Sequence, residues 1–162
     1  EGGTLHDVIE LNERLEIPEV VRLLSQLCEG LEAIHRAGFI HRDIKPRNLL
    51  MTKSREIKIA DFNTAVPVAH RHRRKELRAI GTLEYMSPEV LVDGLSDVRS
   101  DIYSWGVIAY QLVTGLLPFP FDNEEEHIRR KLRGAFQSPQ ARRPDCPWTS
   151  ARCNGSRGWC GS

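Results

Sequence analysis

Four polar side chains in the first half of the chain could act together on one reaction. Asp43, Lys45 and Asn48 fall within the run His41-Arg42-Asp43-Ile44-Lys45-Pro46-Arg47-Asn48, and Asp61 opens a second polar turn, Asp61-Phe62-Asn63. An amide oxygen from Asn48 and a carboxylate from Asp61 are hard oxygen ligands, the kind that suits Mg²⁺ holding a substrate phosphate. Asp43 could accept a proton from a hydroxyl nucleophile or orient it. Lys45 brings positive charge to the place where a transferred phosphoryl group develops negative charge.

The elements around these residues would have to bring them together. Leu49-Leu50-Met51 and Ile57-Lys58-Ile59-Ala60 are short apolar runs joined by a polar Thr-Lys-Ser-Arg-Glu turn, which predicts a β-hairpin. Such a hairpin would put Asn48 and Asp61 at one end. Residues 17–37 predict a helix with Pro18 in its first turn, where the missing N–H costs nothing. Val20, Leu23, Leu24, Leu27, Leu31 and Ile34 form its apolar stripe, and Gly38 stands where a C-terminal cap is needed. On this helix Cys28 reads as an apolar packing residue and His35 as a half-exposed one. A shorter helix is expected over residues 5–10. Residues 100–114 carry apolar side chains on all sides and predict a buried helix stopped by Gly115. Asn123 before Glu124, Glu125 and Glu126 predicts a capped helix that ends near Gly134. Beyond Ala135 the periodicity fades, so residues 1–136 are expected to form the folded part and residues 137–162 an irregular, disordered tail.

The chain of 162 residues is long enough for one domain with a sizeable core. Its hydrophobic content of 40% and charged content of 28% are ordinary for a globular protein, and a net charge of +1 gives no general attraction to nucleic acid or membrane. The most apolar run, residues 105–119, is broken by Gln111, Thr114 and Gly115 and is too short to span a bilayer. Cys28, Cys146, Cys153 and Cys160 have no zinc-site spacing. A soluble protein is the expectation, with a disulfide among Cys146, Cys153 and Cys160 left open.

His-Arg-Asp-Ile-Lys-Pro-Arg-Asn resembles the catalytic loop of eukaryotic-type protein kinases, and Asp-Phe-Asn resembles their metal-binding Asp-Phe-Gly. Lys45 followed by Pro46 is similar to the serine/threonine branch, and Gly81-Thr82-Leu83-Glu84-Tyr85-Met86-Ser87-Pro88-Glu89 resembles that branch's substrate-binding loop. The family resemblance also implies a cytoplasmic protein with reduced thiols. The resemblance implies a mainly α fold with short β-hairpins, the large lobe of a kinase. It implies phosphoryl transfer from Mg²⁺-ATP to serine or threonine of a protein substrate. Asp43 would be the base or hydroxyl-orienting group, Lys45 a phosphate clamp, and Asn48 and Asp61 the Mg²⁺ ligands. Thr82 would hydrogen-bond Asp43 and Lys45. Thr4 would lie near the ribose and Leu50 beneath adenine.

By the same resemblance His41 would pack under Phe62, although a lone His beside an acid could also be a base. Asp101 would anchor the catalytic-loop backbone, cap its helix, or do both. Glu89 would need a downstream arginine, and Arg142-Arg143-Pro144 arrives too early to supply it. Asn63 stands where the family has glycine, and asparagine is among the better residues at positive φ. Between Asn63 and Thr82 the only hydroxyl is Thr64, and Arg78 occupies the usual phosphorylation offset. Glu76 could then offer Arg42 a constant negative charge. The basic run 71–75 reads as a docking patch for acidic partners or as a solvated loop. No Gly-x-Gly-x-x-Gly phosphate loop occurs in the chain. The piece on its own is therefore expected to be weak or inactive. The alternative is a non-catalytic module that binds a substrate or a kinase partner.

Overall fold

A computed structural model describes residues 2–11, 15–69 and 83–146. Helix α1 (Leu5–Leu11) precedes the long α2 (Ile17–Arg36). Strand β1 (Phe39–Ile40), β2 (Leu49–Met51), β3 (Ile57–Ile59) and β4 (Val66–Pro67) follow, and then α3 (Pro88–Asp93), α4 (Val98–Thr114), α5 (Glu124–Arg133) and α6 (Pro139–Arg142). Among the described residues the protein is thus helix-rich with two small sheets. No described helix is long and apolar enough to cross a membrane.

The core forms where the stripe of α2 meets α4. Val20, Leu23, Leu24, Leu27 and Leu31 of α2 pack with Ile108, Leu112 and Val113 of α4 in one cluster. The Trp105 indole N–H donates to the Leu24 carbonyl at 3.2 Å and ties the two helices. The asymmetry of α2 follows from its sequence. Cys28 points away from the stripe and is exposed, not packed as expected.

The hairpin forms as its sequence predicts, with Leu49 opposite Ile59 and Met51 opposite Ile57. Thr52 closes the turn by accepting the Arg55 N–H on its carbonyl and the Glu56 N–H on its hydroxyl. Arg55 takes a left-handed φ of 60°, as the residue after a type I turn in such hairpins does. The hairpin rests on α2 through Gln26, whose side-chain oxygen accepts the Ile57 N–H at 2.8 Å. On its other edge the Gly3 carbonyl accepts the Met51 N–H at 2.9 Å. A Cβ at Gly2 would lie 1.7 Å from the Met51 carbonyl oxygen, so only glycine lets the backbones approach.

Two pieces of structure were not expected. β1 pairs antiparallel with β4, Ile40 against Val66, a union of two-residue strands that no local period announces. Residues 138–146 are ordered, where an irregular tail was expected. Ser138 caps α6, and Arg143 and Cys146 are buried. The Arg143 guanidinium donates to the carbonyls of Leu15 at 2.7 Å and Val113 at 3.2 Å. This anchor is a single residue meeting two distant carbonyls, so it leaves no periodic trace. Arg143 is therefore engaged in the core, while Glu89 is exposed and accepts the Ser100 hydroxyl at 3.4 Å. The remaining residues of the expected tail, with Cys153 and Cys160, lie outside the described residues. Arg143→Ala should lower unfolding stability by about 2–4 kcal/mol, because it strands two buried carbonyls. Urea denaturation of the variant tests this, and a midpoint equal to wild type would refute it.

Candidate active site

The site is built from one buried carboxylate outward. Asp101, in the first turn of α4, is only 1% exposed. Its Oδ2 accepts the His41 N–H and its Oδ1 accepts the Arg42 N–H, each at 2.9 Å. His35 Nε2 lies 2.8 Å from Oδ2, so His35 is part of this anchor and not a bystander on the helix surface. Helix capping is done by Asp97, whose side chain and Ser100 form a reciprocal capping box. Asp101 is thus free to bind the loop. The loop needs the hold, because Arg42 adopts a left-handed φ of 72°, uncommon for a non-glycine residue.

That backbone turn presents Asp43. Its Oδ2 accepts from Lys45 Nζ at 2.8 Å and from Asn48 Nδ2 at 2.9 Å. The same Asn48 Nδ2 donates to the Asp43 carbonyl at 2.8 Å. Lys45 and Asn48 therefore both meet the Asp43 carboxylate. With its nitrogen committed to Asp43, the Asn48 amide presents its oxygen to another partner.

His41 is fully buried and both ring nitrogens are used. Nε2 lies 3.0 Å from the Ala60 carbonyl, which can only accept, so Nε2 carries the proton. Nδ1 accepts the Asp43 N–H at 3.3 Å. The ring meets Phe62 edge-on, with centroids 4.9 Å apart. His41 is thus a fixed spacer between the two polar turns, with both ring nitrogens engaged by backbone groups.

Asp61 is placed by the hairpin. The Ala60 N–H donates to the Asn48 carbonyl at 2.9 Å, which sets Asp61 one residue beyond the Asn48 pairing. Asp61 is exposed and has φ 62°, ψ 69°. The left-handed residue is therefore Asp61 and not Asn63, which sits inside the 3₁₀ turn Phe62–Thr64. Aspartate also tolerates this region, and the helical φ at residue 63 makes no demand for glycine. The Thr64 hydroxyl donates to the His41 carbonyl at 2.9 Å and is occupied structurally.

Thr4 and Leu50 meet in a single β-bridge at the hairpin edge. Thr4 caps α1, its N–H and hydroxyl donating to Asp7 Oδ2 at 2.6 and 2.9 Å. Those bonds hold the Asp7 carboxyl below its ordinary range. Leu50 faces outward, 45% exposed. Thr82, Glu76, Arg78 and the basic run 71–75 lie outside the described residues.

A second polar cluster, which no sequence motif indicated, surrounds residues 83–86. Lys131 of α5 is 3% exposed, and its Nζ donates to the carbonyls of Leu83, Glu84 and Met86 at 2.6, 2.7 and 2.7 Å. Burial pushes the Lys131 ammonium down to about 7, and burial likewise lowers His127 one turn earlier. Lysine in the last turn of a helix reads in sequence as a solvated dipole partner, so nothing local marks this one as buried.

The protein kinase domain family model matches residues 1–153. Serine/threonine-protein kinase PknL of Mycobacterium tuberculosis is 44% identical over 125 residues, covering 76% of this chain and 31% of the relative. Serine/threonine-protein kinase pkn3 of Myxococcus xanthus is 38% identical over 152 residues, covering 89% of this chain and 28% of the relative. Aurora kinase A-B of Xenopus laevis is 36% identical over 138 residues, covering 85% and 33%. The chain belongs to the protein kinase family, and its relatives of this kind are serine/threonine kinases. It spans about a third of the length of each of these relatives.

Proposed function

We propose that the chain carries the large-lobe portion of a serine/threonine protein kinase domain, and that this domain transfers the terminal phosphoryl group of ATP to a protein hydroxyl. The observation that carries the reading is the convergence of Lys45 Nζ and Asn48 Nδ2 on Asp43 Oδ2. The carboxylate receives the proton of the acceptor serine or threonine as its oxygen bonds to phosphorus. The bond from that phosphorus to the bridging oxygen of ADP breaks, and ADP leaves with the electron pair. Lys45, 18% exposed at its side chain, faces the transferred group with a positive charge and holds Asp43 in place.

The donor set fits a magnesium ion. Asn48 turns its nitrogen to Asp43 and has its oxygen left, and Asp61, one residue beyond the backbone bond between Ala60 and Asn48, offers an exposed carboxylate. When bound, the ion would neutralise phosphate charge. Thr4 and the outward face of Leu50 would border the nucleoside, and Thr82 would steady Asp43 and Lys45. The chain has no glycine-rich phosphate loop, so the isolated piece is expected to bind nucleotide weakly and turn over slowly.

The test is binding of a fluorescent ATP analogue with and without magnesium, alongside radiolabelled phosphate transfer to a basic protein. Asp61→Asn should weaken magnesium-dependent nucleotide binding by about tenfold or more, a cost of about 1.4 kcal/mol. Equal magnesium dependence in variant and wild type would overturn the assignment.

A further inference from the structure

Residues 83–86 form neither helix nor strand, yet four carbonyls in a row are taken by side-chain donors. Lys131 Nζ takes those of Leu83, Glu84 and Met86, and the Ser104 hydroxyl of α4 takes that of Tyr85 at 2.8 Å. The Tyr85 hydroxyl donates to Gln111 Oε1 at 2.7 Å, a further tie to α4. Lys131 also lies over the Tyr103 ring, 5.5 Å from its centroid. Every proton of the ammonium is thus spent on one short segment.

This is a costly way to satisfy a loop. Burying an ammonium strips it of its hydration, which the carbonyl contacts have to replace. The segment's own turn bond, from the Met86 N–H to the Leu83 carbonyl at 3.3 Å, reaches only one of these carbonyls. What the lysine adds is a fixed shape: three carbonyls held to one point cannot rotate independently.

We propose that Lys131 is a positioning residue for the protein substrate, holding the 83–86 segment in the one conformation that receives the polypeptide around the acceptor serine or threonine. This rests on the kinase reading above, in which residues 81–89 form the substrate-binding loop. Lys131 does not touch the reacting atoms. It acts through the loop that runs from Leu83 into Ser87 and Pro88, at the start of α3.

The experiment compares wild type with Lys131→Met, which keeps chain length and removes the donors. Amide hydrogen exchange by mass spectrometry is read over residues 83–91, with residues 107–113 of α4 as internal control. Exchange over 83–91 should rise by about tenfold, the equivalent of about 1.4 kcal/mol, while α4 is unchanged. In phosphate transfer, KM for the protein acceptor should rise by about tenfold, with KM for ATP within about twofold.

Unchanged exchange over 83–91 overturns the proposal whatever the kinetics. Faster loop exchange with an unchanged acceptor KM removes the substrate-positioning role. If wild type transfers no phosphate, which the kinase reading allows for this chain alone, the Kd of a basic serine peptide takes the place of KM and should likewise rise by about tenfold; a wild type that binds neither the peptide nor magnesium-nucleotide fails the kinase reading, while the exchange result still decides whether Lys131 holds the loop. Should exchange rise in α4 as well, Lys131→Gln, which retains two N–H donors, takes the place of the methionine variant. It should then show an intermediate rise confined to 83–91, and equal exchange there would overturn the proposal.

Discussion

Replacing Asp101 with alanine should destabilise the protein by about 3–5 kcal/mol, the range found when one partner of a buried charged network is removed. Asp101 is 1% exposed and accepts the N–H groups of His41 and Arg42, with His35 as its third partner. Hydrogen bonds to a charged group contribute about 1.5–3 kcal/mol each, and alanine leaves both N–H groups without an acceptor. The left-handed Arg42 then loses the contact that holds it. Against a total stability of about 5–15 kcal/mol, this is enough to unfold much of the population. Asp101→Asn should cost less, since one oxygen still accepts while the amide nitrogen opposes the second N–H. Urea denaturation at constant slope measures both variants. A loss below about 1 kcal/mol for Asp101→Ala would show that the catalytic turn is held by something else.

The second large effect is on chemistry. Asp43→Asn should lower phosphate transfer by about 10²–10⁴-fold, the usual contribution of a positioned general base. The substitution is nearly isosteric, and its amide oxygen can still accept from Lys45 and Asn48, so the fold should stay intact. Nucleotide affinity should change by less than about threefold, or about 0.7 kcal/mol. The denaturation midpoint should match wild type. An unchanged transfer rate would remove Asp43 from the reaction. A rate loss that travels with lost stability would mean that its role is to hold Lys45 and Asn48 rather than to take a proton.

The elements that could be read from sequence are those governed by local rules. The stripe from Val20 to Leu31 and the stop at Gly38 define α2 within a residue or so, because periodic burial and a C-terminal glycine are both local. The hairpin over Leu49–Met51 and Ile57–Ile59 was legible for the same reason, as was the Asn123 cap of α5. What failed were single residues whose environment is set by distant chain. Cys28 sits on a good helix but off its buried face. Asn63 occupies the place of a glycine, yet the strained backbone falls two residues earlier, at Asp61.

By itself the sequence determined the helices, the hairpin and the chemistry-bearing run from His41 to Asn48, because each depends on residue types within a few positions of one another. Only the tertiary structure decided that Asp101 and His35 meet across 66 positions to hold that run, that Arg143 closes the core, and that Lys131 grips a loop 45 to 48 residues away. Such contacts have no period. They arise because buried carbonyls, N–H groups and charges must find partners, and which partners lie within reach depends on how the whole chain packs.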